Sequence, residues 1–246
     1  FEFILINCYA KNPANDKGIT PLHLAVENDD TTLCRVMLKF LKNGNDKNPR
    51  CKDGFTPLFR AAQFGQLEIC RLLVKDSTEP NPKSDIDGST PLHIATYKGH
   101  FSVVEMILKE VTDKNPAKND GITPLHLAAL IGDMNLLELI AKDVKELGIK
   151  DQNGVTPLYN ATSYGHFEAI KFLIEGMKDK NPNANNGFTP LHVAAQNNKF
   201  QIFKFIFEKV EDKNPKDEEG DTPLHLAAMH GNFEIFKFIF EGMLKV

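Results

Sequence analysis

Residues 120–129 read Asp-Gly-Ile-Thr-Pro-Leu-His-Leu-Ala-Ala, and near copies begin at Lys17 (KGITPLHLAV), Asp87 (DGSTPLHIAT), Asn186 (NGFTPLHVAA) and Glu219 (EGDTPLHLAA). Two further copies exchange the histidine for Phe59 and Tyr159. The Thr of each Thr-Pro-Leu falls at 20, 56, 90, 123, 156, 189 and 222, so successive copies lie 36, 34, 33, 33, 33 and 33 residues apart. His126, flanked by a threonine and an aspartate, invites a proton-transfer reading. A phrase repeated at constant period speaks against it, because a nucleophile, base and orienting group cannot be assembled around five equivalent histidines.

Each copy reads as the start of a helix. Thr suits the N-cap, where its hydroxyl satisfies an orphan backbone N–H. Pro suits the first helical position, where a missing N–H costs nothing. Leu125, Ala128 and Ala129 then give a narrow apolar face that lets neighbours approach closely. Nine residues after the Thr stands Gly65, Gly99, Gly132, Gly165 or Gly231, placed to end the helix in the left-handed region. Asp29 and Asn198 fill that column elsewhere, and both types tolerate it. A second apolar-periodic segment follows, as in HFEAIKFLIEGM (166–177), and then Asp-Lys-Asn-Pro and an Asp-Gly or Asn-Gly turn.

A period of 33 carrying Thr-Pro-Leu-His-x-Ala resembles the ankyrin-repeat family over essentially the whole chain. The resemblance implies an all-α fold, an elongated solenoid of helix-turn-helix modules joined by β-turn or hairpin loops. It implies a single domain over 1–246, with a partial repeat over 1–15 and repeats starting near 16, 52, 86, 119, 152, 185 and 218. It also implies that the histidines bond locally and tighten adjacent turns.

Departures from the period fall between the second helix and the turn: KNGNDKNP (42–49) and STEPNP (77–82) are expected to hold the extra residues. Leu147-Gly-Ile149 replaces Lys-Asn-Pro in the copy after Thr123, and an extended second helix is expected there. Phe1-Glu-Phe-Ile-Leu5 aligns with Phe203-Lys-Phe-Ile-Phe207, so the chain reads as a piece of a longer array. Phe236, Phe238, Ile239 and Phe240 bring no polar cap, which predicts weak end-to-end self-association or fraying of the last helix.

Composition narrows the function classes. A net charge of −4, with both signs interspersed, leaves no basic field for nucleic acid. No stretch approaches the roughly 20 apolar residues of a membrane span. Phe1–Ala10 has neither the basic start nor the cleavage site of a secretory leader. Cys8, Cys34, Cys51 and Cys70 form no disulfide or zinc pattern, so an intracellular, cytoplasmic setting is expected. Cys34 and Cys70 share an apolar helix column and read as core, while Cys51 sits in a turn and reads as exposed. Asn160-Ala-Thr162 falls inside a helix and is not expected to be glycosylated. The column Leu67, Phe101, Met134, Phe167, Phe200 and Phe233 reads as core. No catalytic residue, metal ligand or cofactor is expected.

What varies while the scaffold repeats is the surface. In the family it resembles, partners lie along the concave face of turn tips and first helices. Carried onto this chain, that face includes the residues just before the Thr and those seven and eight after it. The partner-binding set is Phe55, Phe64, Tyr97, Lys98, Ile122, Leu130, Ile131, Tyr164, Phe188, Met229 and His230. The residues preceding the Thr have an alternative role, packing on neighbouring turns. The function implied is a non-enzymatic scaffold for a protein partner. A recognition arm of a larger enzyme or channel, and an elastic array, are the alternatives.

Overall fold

The computed structural model describes residues 12–41, 47–75 and 77–243. Among them run fourteen α-helices in pairs, with no strand. The pairs are α1 (Pro21–Glu27) with α2 (Thr31–Phe40), α3 (Pro57–Phe64) with α4 (Leu67–Val74), and α5 (Pro91–Tyr97) with α6 (Phe101–Glu110). They continue with α7 (Pro124–Ile131) and α8 (Met134–Ala141), α9 (Pro157–Tyr164) and α10 (Phe167–Gly176), α11 (Pro190–Gln196) and α12 (Phe200–Lys209), and α13 (Pro223–Met229) and α14 (Phe233–Met243).

Contacts group the chain into two compact units that divide between Asp120 and Gly121. In the first, α3 packs between α1 and α5, and α4 between α2 and α6. In the second, α9 packs between α7 and α11, α11 also meets α13, and α8 meets α10. First helices thus stack on first helices and second on second. The core lies between the two layers. Leu58, Leu92, Leu125, Leu158 and Leu191 are wholly buried there, as are Ala61, Ala95, Ala128, Ala161 and Ala194 one turn further along the same helices. Each buried leucine contributes about 1.5–3 kcal/mol of transfer free energy, and the alanines set how closely helices stack.

The helix starts and stops follow the sequence. Every Thr of the Thr-Pro-Leu series is an extended N-cap, with φ between −102° and −119°, and Pro opens every first helix. Gly65, Gly99, Gly132, Gly165 and Gly231 end the first helices at φ of 68–84°, and Asp29 and Asn198 take the same conformation at 54° and 53°. Cys34 and Cys70 are buried, as their column requires, and Thr162 is buried with its hydroxyl donated to Leu158 O (2.8 Å).

Four expectations are corrected. The extra residue between Thr56 and Thr90 sits in the turn after Pro82, not in 77–82. There Gly88 N–H bonds back four residues to Ser84 O, whereas Gly54 N–H bonds back three, to Cys51 O. The widened turn carries Ile86, 61% exposed. After Thr123 no extended second helix forms: α8 stops at Ala141, the position equivalent to Val74 where α4 stops. Cys51 is buried, because the preceding turn stacks on it through the Lys52 N–H to Lys17 O bond (2.9 Å). The Phe101/Phe233 column is not core: it opens the second helix, and these two rings are 41% and 71% exposed while Leu67, Met134, Phe167 and Phe200 are half-buried. The core positions are two, three and six residues further on, as in Ile69, Cys70 and Leu73. Cys8, residues 42–46 of the KNGNDKNP insertion and the Phe1–Leu5 alignment lie outside the described residues.

Candidate interaction surface

The recurring histidine is a hinge pin between modules. Thr20 N–H donates to His23 Nδ1 (3.2 Å), so Nδ1 carries no proton, and the Thr20 hydroxyl donates to it as well (2.9 Å). The proton must then sit on Nε2, which donates to Phe55 O of the next repeat (3.3 Å). His126 repeats the arrangement onto Val155 O (3.1 Å) and His192 onto Asp221 O (3.1 Å). Each of these carbonyls also accepts from its own turn: from Cys51, Asp151 and Asp217 N–H respectively. Burial holds His23 and His192 below the ordinary imidazole pKa, which suits a neutral ring with one donor and one acceptor.

Two more devices were not read from the sequence. The residue after the helix-ending position reaches back to the previous first helix: Gln66 to Val26 O (2.8 Å), His100 to Gln63 O (3.0 Å), His166 to Leu130 O (2.9 Å) and Asn232 to Ala195 O (2.6 Å). Asp-Lys-Asn-Pro, taken above as a connector, is a double cap. Its Lys closes the carbonyl end of the second helix, with Lys114 bonding Val111 O (2.7 Å) and Lys180 bonding Ile174 O. Its Asn accepts from the next first helix, as Asn48 does from Leu58 N–H (3.0 Å) and Asn181 from Leu191 N–H (3.1 Å). The recurrence of this tetrapeptide was the available signal. Asn214 departs from the pattern, its buried Oδ1 having no hydrogen-bond partner.

These bonds consume the repeated polar groups and leave the variable ones outside. In the first unit Phe64 and Tyr97 are each 52% exposed, and Lys98 is exposed with its ammonium 5.6 Å from the Tyr97 ring. Phe55 is half-buried: its ring centre lies 4.5 Å from that of Phe59 and 5.1 Å from the Arg60 guanidinium. In the second unit Tyr164 and Met229 are 61% and 66% exposed, and His230 is exposed. Leu130 and Ile131, expected on the open face, are half-buried, as are Ile122 and Phe188. Phe188 stacks on His192 (5.1 Å between centres), so the aromatic before the Thr packs on its own module in both Phe55 and Phe188. Ile86 joins the exposed set; the eight-residue step from Pro82 to Thr90, against seven from Pro49 to Thr56, was its sequence signal.

Among the described residues no cluster of His, Cys, Asp or Glu could hold a metal, and no helix is long and apolar enough to cross a membrane. The thiols of Cys34 and Cys70 are pushed up by burial, to about 11 and about 12, and are inert as nucleophiles at neutral pH.

Helix pairs capped by Thr-Pro-Leu-His and joined by Gly turns define a tandem helical-repeat protein. A family model described as ankyrin repeats (3 copies) matches residues 1–84, 77–146, 131–217 and 177–245, and the chain belongs to the ankyrin-repeat family. A search of curated proteins finds no match.

Proposed function

We propose that this chain is a non-enzymatic scaffold that binds a partner protein on its first helices and turn tips, with 1–246 serving as one domain. Ankyrin repeats are generally protein–protein interaction modules. One observation carries the reading. Large side chains stand exposed at positions seven and eight after the Thr in both units, where no scaffold bond needs them: Phe64 and Tyr97 in one, Tyr164 and Met229 in the other. Clustered aromatics outside a core are the usual anchors of recognition. In the second unit Ile122, Leu130, Ile131 and Phe188 serve as the half-buried floor of that unit's face.

The free, buried cysteines Cys34, Cys51 and Cys70 support a reducing, cytoplasmic setting. End-to-end association through the aromatic last helix belongs to the same proposal, with Phe233 and Phe240 exposed on α14. Sedimentation that is independent of concentration would remove that part.

The test is a pull-down comparing the chain with its F64A/Y97A/Y164A variant. The variant should keep its helical content and melting temperature and lose the partner, since truncating a buried interface aromatic costs about 2 kcal/mol or more of binding. A folded variant that still captures the partner places the contacts elsewhere.

A further inference from the structure

We propose that the first-helix face of the unit formed by 12–120 takes an acidic segment of its partner protein, in which carboxylates alternate with apolar side chains; the inference rests on this face being the interaction surface. Four cations of this unit stand in ion pairs. Arg50 stands 3.6 Å from Asp85, Arg71 3.6 Å from Glu68, Lys109 3.1 Å from Glu105 and Lys118 3.7 Å from Asp87. Arg60 and Lys98 are set apart by their place on the first helices. Neither has an ion-pair partner among the described residues, and both lie over aromatic rings of the candidate face: Arg60 on Phe55 at 5.1 Å and Lys98 on Tyr97 at 5.6 Å. An aromatic face steadies a cation without cancelling its charge. Arg60 is further steadied by donating to Gln63 Oε1 (3.0 Å).

The two cations therefore wait, pre-ordered, beside exposed apolar anchors. Phe64 stands on the helix that carries Arg60, and Tyr97 immediately precedes Lys98. Ile86 projects from the widened turn of the same module as Tyr97. Carboxylate and apolar groups alternating along one extended chain match this order of sites, and guanidinium–carboxylate pairing adds direction to charge. Glu27, exposed at the end of α1, sets the boundary: the acidic stretch lies over α3 and α5, not over α1. At the turn tips Lys17 follows Asp16 and Lys52 precedes Asp53, while Asp85 and Asp87, which flank Ile86, are paired with Arg50 (3.6 Å) and Lys118 (3.7 Å). A uniformly charged polyanion such as nucleic acid would meet Glu27 and Asp53 as well as the two cations, which favours a mixed protein segment.

The test is fluorescence anisotropy with the full chain and labelled short peptides: Glu alternating with Leu and Phe, its Gln counterpart, its Lys counterpart, and oligothymidylate as a fourth probe. The Glu peptide should bind about tenfold tighter than the Gln peptide at low salt, a preference that shrinks towards about 0.5 M salt. R60Q/K98Q should erase that preference and leave the Gln peptide unchanged, while F64A/Y97A should weaken both peptides. Equal binding of Glu and Gln peptides overturns the acidic occupant and leaves the interaction face standing. So does failure of every peptide to bind. Preference for the Lys peptide, or oligothymidylate binding that R60Q/K98Q abolishes, replaces the acidic protein segment with another partner. Unaltered Glu-peptide binding in F64A/Y97A overturns the face itself.

Discussion

The two units are built on one frame and surfaced differently. In residues 12–120 the first helices and their ends carry Glu27, Arg60 and Lys98; in residues 121–243 none of the first helices contains Asp, Glu, Lys or Arg. Yet the inter-repeat bonds are the same, His23 to Phe55 O in one and His126 to Val155 O in the other. The difference teaches where freedom lies. Positions whose groups close a hydrogen bond or fill the alanine–leucine layer recur, while positions aimed at solvent diverge in charge and size.

The largest effect should come from the turns. A Cβ at Gly187 would lie 2.7 Å from Asp217 Cα and 2.8 Å from Glu218 N, at a φ of +81°. Gly187→Ala should cost about 3 kcal/mol, from left-handed strain plus a backbone collision. Gly54→Ala in the other unit, 2.8 Å from Asp85 N at a φ of +73°, should cost about the same. Gly231→Ala, with nothing within 4 Å, should cost about 1 kcal/mol, from strain alone. Denaturant unfolding of the three variants checks the frame; a tolerated Gly54→Ala beside a crippling Gly187→Ala would mean the units do not share it.

Next in size is the histidine pin. His126→Ala removes the bond to Val155 O and both contacts with Thr123, and should cost roughly 1 kcal/mol or somewhat more. A variant that loses partner binding with an unchanged melting curve would give the histidine a direct role after all.

Acidification should act on both units in the same direction. His23 and His192 have pKa values below the ordinary imidazole value of 6.5 in the folded chain, because burial penalises the charged ring. Below that value the unfolded chain binds more protons than the folded one, so stability rises with pH there. The histidine contribution is fully present above 6.5 and is lost as pH falls through the lowered folded values. Melting temperature should therefore drop between about pH 7 and about pH 5.5, before most carboxylates titrate. An unchanged or rising melting temperature over that window would break the neutral-ring assignment.

The smallest effects belong to the surface. Tyr164→Ala and Phe64→Ala should each change stability by less than about 0.5 kcal/mol, since both side chains are more than half exposed and leave no cavity. A loss several times larger in thermal unfolding would move these rings from the interface into the fold.

Several parts of this architecture were written in single residues. The Thr-Pro start, the left-handed Gly with its Asp29 and Asn198 substitutes, and the buried Cys34/Cys70 column follow from local backbone chemistry and periodicity. Burial was the part that single residues did not carry. Phe101 and Phe233 look like core by composition, and Cys51 looks like surface by its turn, but burial is decided by what stacks above and below. The extra residue near Ile86 was misplaced because period alone counts residues between marks and does not say which loop absorbs them.

The sequence by itself determined the module: its length, its two helices, its caps and its turn, all fixed by short-range hydrogen bonds and steric rules acting within one repeat. The tertiary structure decided what the repeated polar groups are for. That Nε2 of a histidine reaches a carbonyl some thirty residues away, that Gln66 or Asn232 reaches back to the preceding repeat, and that Asp-Lys-Asn-Pro caps two helices at once depend on stacking modules in space. So does the half-burial of Leu130 and Ile131 beside the open exposure of Tyr164. A one-dimensional pattern records which groups recur; only the close approach of neighbouring modules settles which of them are satisfied and which face water.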